Sequence, residues 1–154
     1  MVVSLILWYL LVLSVQIASA LATTPSIYPW YASLEKASWN PPGWVFGPVW
    51  TLLYIMMAVS VWLISQTKTT RIKHAFSYTL FVVQLFLNGL WSFLFFKFHQ
   101  VGWALLDLGL LIFFIAVMGH VFFRMRKAAG LLLLPYLFWC IYAFTLNAAI
   151  WWLN

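Results

Sequence analysis

Five long apolar runs, at about residues 2–22, 44–66, 76–96, 102–123 and 131–153, alternate with short polar stretches along the 154-residue chain. Each is close to the roughly 20 residues that an α-helix needs to cross a hydrocarbon core about 30 Å thick. In that medium each backbone N–H and C=O must be satisfied within its own segment, so runs of this kind form helices rather than isolated strands. The pattern predicts an all-α integral membrane protein, a bundle of five transmembrane helices in one domain spanning residues 1–154. No repeat, low-complexity segment or soluble domain interrupts it.

The first run has a second reading. Val2 to Ala22 contains Ala18-Ser19-Ala20, which resembles a signal-peptidase site. No Lys or Arg precedes it, however, and a 21-residue helix is roughly 31 Å long, so an uncleaved first span is the expectation.

Composition supports the membrane class. The chain is 66% hydrophobic and only 6% charged, against about 25% charged in an ordinary soluble domain. Aromatic residues make up 21%, including 11 Trp, more than interfacial belts require. The net charge of +6 would suggest nucleic acid in a soluble protein. Here the basic residues gather in two loops, Lys68, Arg71 and Lys73 in the second and Arg124, Arg126 and Lys127 in the fourth. That bias is read as membrane orientation, with both loops in the cytoplasm of a bacterial cell and the first loop and C-terminus outside. No nucleic-acid partner is expected.

Polar side chains inside the spans are costly and tend to face a bundle interior or a cavity. Counted from the outer end of each helix, Asp107 and Asn147 lie five or six residues in and Asn88 about eight, with Trp50 and Trp91 at similar depth. Four helices thus offer hydrogen-bonding groups in one half of the membrane, beneath a proline-stiffened aromatic segment. That segment runs from Trp30 and Tyr31 through Trp39 and Pro41 to Trp50 and Tyr54. One reading is a ligand pocket for a flat, largely apolar molecule with the segment as its lid and upper wall. The other is interhelical hydrogen bonding, the commoner role for single residues such as Asn88, Asn147 and Asp107.

Catalytic chemistry is sparse. Two acids, three histidines and one cysteine give no paired carboxylates, no nucleophile triad and no shared metal or bis-histidine haem site, so neither metal nor cofactor is expected. Cys140 lies in an apolar run and is read as a packing residue. Gly43-x-x-x-Gly47 matches the small-residue helix-packing motif at the membrane edge. If there is an enzyme here it must use its indoles, and Trp50 and Trp139 are the catalytic candidates, as electron donors to an excited or oxidised ligand.

Several strings together carry a family resemblance. They are Trp30-Tyr31-x-x-Leu34-x-Lys36-x-x-Trp39-x-Pro41-Pro42, Gly47-Pro48-Val49-Trp50-x-x-Leu53-Tyr54 and Leu87-Asn88-x-x-Trp91. Gly102-Trp103-Ala104-Leu105-x-Asp107 and Pro135-Tyr136-x-x-Trp139-x-x-x-Ala143-x-x-Leu146-Asn147 follow in order. The whole chain resembles the translocator protein family, also called tryptophan-rich sensory protein or peripheral-type benzodiazepine receptor. The resemblance implies a five-helix bundle, often a homodimer, in contact with membrane lipid, that binds protoporphyrin IX and synthetic apolar ligands. It also implies that the positions of Trp50 and Trp139 take part in porphyrin binding and light-dependent porphyrin breakdown. Trp91, Ala143, Leu146 and Asn147 are implied to line or adjoin the cavity, with Trp139 as its deep floor.

Two departures stand out. Ala37 replaces a proline usual in the family, and Leu146 to Trp152 lacks the Tyr and Arg of the cholesterol-associated motif, which leaves cholesterol binding in doubt. The short, apolar C-terminus fits a bacterial cell-membrane member. The functions to weigh are therefore a porphyrin-binding sensor, regulator or carrier in tetrapyrrole handling, a light- and oxygen-dependent porphyrin-degrading enzyme, and a membrane scaffold with incidental ligand binding. No inverted repeat or broken-helix pair supports a transporter proper.

Overall fold

A computed structural model describes residues Val2–Asn154, and it is helical almost throughout. Helix α1 (Val2–Ser26) continues through a wider turn at Ile27–Tyr31, and a 3₁₀ turn at Gly43–Val45 leads into α2 (Phe46–Ser65). Helix α3 (Arg71–Ser92) likewise ends in a wide turn, Phe93–Lys97, before α4 (Val101–Met125). The last span is built from a short α5 (Lys127–Leu131) and α6 (Leu134–Leu153). Five stretches are long and apolar enough to cross a membrane, the first reaching Tyr31 and the third beginning at Arg71.

The ends of these helices have local causes. The third helix starts at Arg71 because the Thr70 hydroxyl accepts from the Lys73 backbone N–H and caps the first turn, so the helix extends past the apolar run. Pro25 removes one N–H from the end of α1. Tyr28, which precedes Pro29, is extended at φ −132°, ψ 131°, as the proline ring demands of the residue before it. The first helix stops where these prolines stop it.

Around the bundle, α1 packs between α2 and α3, α3 against α4, and α4 against α6, while α2 reaches the last span through α5. Large apolar side chains such as Leu7, Leu21, Phe86, Leu110 and Phe138 point outward into what would be lipid. Packing inside is uneven. At the end that carries the basic loops, Met57, Val61, Ile64, Phe81, Ile115, Met118, Phe122 and Leu133 form a dense core. Cys140 belongs to it, buried and unpaired with any thiol. At the opposite end a smaller cluster of Phe95, Ala104 and Ile150 packs with Trp30, Tyr31, Leu34 and Trp91. The space between the two clusters is hollow.

The first loop does not lie flat over the bundle. The Glu35 N–H donates to Asn154 Oδ1 at 2.9 Å, and Asn154 Nδ2 donates back to the Glu35 carbonyl at 3.0 Å. Further along, the Tyr142 hydroxyl donates to the Trp39 carbonyl at 2.7 Å, and Trp39 Nε1 donates to Thr145 at 3.3 Å. Phe46 then meets Trp139 edge to face at 5.8 Å. The loop therefore runs alongside α6 by about 18 Å between Asn154 and Tyr142, and α2 begins well short of the C-terminal end of α6.

Candidate functional site

The hollow is a cavity of about 610 Å³, within the usual range for small-molecule sites. Its walls come from α1, α2, α3, α4 and α6. Of the residues singled out in the sequence, Tyr31, Trp50, Tyr54, Asn88, Trp91, Trp139, Ala143, Leu146 and Asn147 all line it. Trp30, Trp39, Pro41 and Asp107 do not.

Those four have other surroundings. Trp30 stacks on His99 at 3.9 Å and meets Phe95 edge to face, at the end of the bundle away from the basic loops. Trp39 is 54% exposed on the outside of the loop, and Pro41 accepts from Asn40 at 3.0 Å. Asp107 is buried, with its Oδ2 unpartnered, away from the cavity lining. Its depth along α4 matches that of the lining residues, but depth does not fix which way a side chain faces.

Pocket and interhelical bonding turn out not to exclude one another. Asn147 accepts from Trp91 Nε1 at 3.0 Å and donates to the Val101 carbonyl at 3.0 Å, tying α6 to α3 and α4 while lining the cavity. Asn88 accepts from the Tyr54 hydroxyl and donates to Tyr136 at 2.9 Å, and Tyr136 donates to Gln84 at 3.0 Å. This chain joins α2, α3 and α6, and its members Tyr54 and Asn88, with Leu108 and Leu111, line the cavity where it meets the dense core, as its floor. Trp139, one turn beyond Tyr136 on α6, lines the same cavity and packs against Phe46 and Tyr142.

One wall comes from residues that no sequence motif marks. Gln16, Ser19, Ala20, Thr23, Thr24 and Ile27 of the first span line the cavity, at the i, i+3, i+4, i+7 spacing of a single helix face. Gln16 donates to Thr51 at 3.2 Å, joining α1 to α2. Gly43 and Gly47 also line the cavity, and a Cβ on either would meet nothing within 4 Å. In this fold the two glycines leave room in the cavity.

Two lining groups are buried without a hydrogen-bond partner, Ser19 Oγ and Trp139 Nε1. An unmet buried donor costs about 1–3 kcal/mol, so a ligand acceptor placed there recovers that energy. The remaining lining is mainly aromatic and aliphatic, including Trp50, Trp91, Phe95, Phe96 and Leu146. Among the described residues no three His, Cys, Asp or Glu side chains gather as a metal set.

The loop contacts make one expectation concrete. Tyr142→Phe deletes the 2.7 Å bond to Trp39 and leaves the ring in place. A net loss of about 1 kcal/mol corresponds to roughly fivefold faster amide exchange across residues 37–40. Hydrogen–deuterium exchange should show that increase with α3 and α4 unchanged.

The TspO/MBR family model matches residues 8–153. The chain belongs to the TspO/MBR family. A tryptophan-rich protein TspO from Archaeoglobus fulgidus is 35% identical over 156 residues, covering 99% of this chain and 98% of the relative. One from Chlorobaculum tepidum is 42% identical over 132 residues, covering 85% and 84%. The human translocator protein is 39% identical over 123 residues, covering 79% of this chain and 73% of its own. As a TspO/MBR member with five apolar spans, the chain is a multi-pass membrane protein.

Proposed function

We propose that this TspO/MBR protein binds a flat, largely apolar ligand of the porphyrin class, such as protoporphyrin IX, and acts as a sensor, regulator or carrier in tetrapyrrole handling. The observation that carries this reading is the cavity itself: four indoles, Trp44, Trp50, Trp91 and Trp139, with the Trp139 N–H unpartnered. Flat aromatic walls favour a planar π-system through stacking and edge contacts. Polar lining groups, among them Ser19, Asn88, Asn147 and Trp139, fix its orientation.

The test is a titration of purified protein with protoporphyrin IX, following absorbance in darkness and in aerobic light. Binding shifts the porphyrin bands, and the absence of any shift overturns the proposal. Trp139→Phe keeps an aromatic ring but removes the free donor, and should weaken binding about tenfold. Unchanged affinity would show that the indole N–H meets no ligand acceptor.

A degradative reading rests on Trp50 and Trp139 facing the same cavity. It gains support only if the porphyrin bands are lost in aerobic light, and if Trp50→Phe and Trp139→Phe abolish that loss while binding survives.

A further inference from the structure

A second concavity, of about 230 Å³, lies on the outer face of the bundle at the opposite end from the ligand cavity. It runs between α4 and the α5–α6 turn, lined by Ile115, Gly119, His120 and Phe123 on one side and by Leu134 and Leu137 on the other. Two glycines shape it. A Cβ at Gly119 would meet nothing within 4 Å, so the α4 surface dips there. At Gly130 the α5 backbone comes so close to Phe123 that a Cβ would lie 2.5 Å from the Phe123 Cβ, which pins the far wall.

The groove changes character along its length. From Ile115 to Phe123 it covers about 12 Å of helix and is apolar apart from His120, an exposed ring in a face that otherwise meets lipid tails. Arg124 lies one turn beyond His120 on the same helix face, about 6 Å further toward the basic end. Lys127 follows at the start of α5, and both are exposed. Arg126, between them, is turned toward α2, where its guanidinium donates to the Leu63 carbonyl at 3.4 Å.

Six of the eight Lys and Arg residues lie at this end of the bundle, whereas Glu35 is in the loop at the other end and Asp107 in the other half of α4. No carboxylate of the chain is placed to neutralise Arg124 or Lys127.

We propose that this groove binds an anionic phospholipid, with one acyl chain lying between α4 and α6 and the phosphate held by Arg124, Lys127 and His120. Anionic lipid is concentrated in the cytoplasmic leaflet, and basic pockets between helices at that level suit its head groups. A zwitterionic lipid would fill the apolar part equally well but would bring a quaternary ammonium toward uncompensated cations. A second copy of the chain fits less well. A two-fold interface applies the same patch to itself, setting Arg124 and Lys127 of one copy against those of the other.

The test is native mass spectrometry of the protein exchanged into equimolar palmitoyl-oleoyl phosphatidylglycerol and palmitoyl-oleoyl phosphatidylcholine. Wild type should retain the anionic lipid with about tenfold preference. Arg124→Gln with Lys127→Gln should cut the preference below about twofold. Gly119→Leu, which fills the dip where the added Cβ meets no atom, should reduce retained phosphatidylglycerol with helical content unchanged. Equal retention of the two lipids by wild type, or a preference that survives the double charge change, overturns the proposal. If Gly119→Leu instead shifts the monomer–dimer ratio and leaves lipid retention intact, the groove is an interface between copies and not a lipid site.

Discussion

Asn88→Leu is expected to destabilise the bundle by about 2 kcal/mol and to loosen the floor of the cavity. Asn88 makes two bonds between helices, accepting from Tyr54 and donating to Tyr136, and both tyrosines are buried. Leucine fills a similar volume but leaves the Tyr54 O–H without the acceptor it now uses. Tyr136 keeps its bond to Gln84, so one hydroxyl suffers and not two. Polar contacts in membranes average only about 0.6 kcal/mol each, because the unfolded spans also find partners. The orphaned Tyr54 hydroxyl therefore costs more than the lost Asn88 contacts themselves.

Adding Tyr54→Phe removes that orphan, and the double variant should be more stable than Asn88→Leu alone. Unfolding equilibria in mixed micelles measure all three variants. A double variant that costs the plain sum of its two parts would show that the hydroxyl and the amide do not act as a unit.

The two-sided character of this fold was readable because it depends on local quantities. Charge placed Lys68, Arg71, Lys73, Arg124, Arg126 and Lys127 at one end, and helical rise placed Asn88, Trp91 and Asn147 in the other half. What failed was geometry between helices. Counting residues from an assumed common outer surface put Trp50 near the top of its helix. In the structure its ring lies 6.2 Å from Tyr136, which is near the opposite end of α6. The offset arises because the loop after Tyr31 runs down α6 before α2 begins, and no local pattern encodes that descent. The same count swept in Asp107, which has the right depth but the wrong azimuth. Conversely, the Gln16, Ser19, Thr23 and Thr24 face was visible as a helical period. A first run that reads equally as a leader or an anchor does not by itself mark that face as a cavity wall.

Gly130→Ala should be the most damaging glycine-to-alanine change in the chain, at about 3 kcal/mol. The added carbon would lie 2.5 Å from Phe123 Cβ, 2.6 Å from its Cα and 2.7 Å from its N. Two of those three atoms are backbone, so no rotamer change relieves the clash, and α5 must move away from α4. That movement also pulls Ala129 from the Ser60 hydroxyl, which donates to its carbonyl at 2.8 Å and secures α2 to the turn.

Gly119→Ala supplies the control on the same surface. It has nothing within 4 Å, and alanine is favoured over glycine within a helix by up to about 1 kcal/mol. The two substitutions should thus move stability in opposite directions when unfolding is followed by far-ultraviolet circular dichroism in detergent. Equal, small effects would mean that the turn between α4 and α5 is held less closely than its backbone spacing requires.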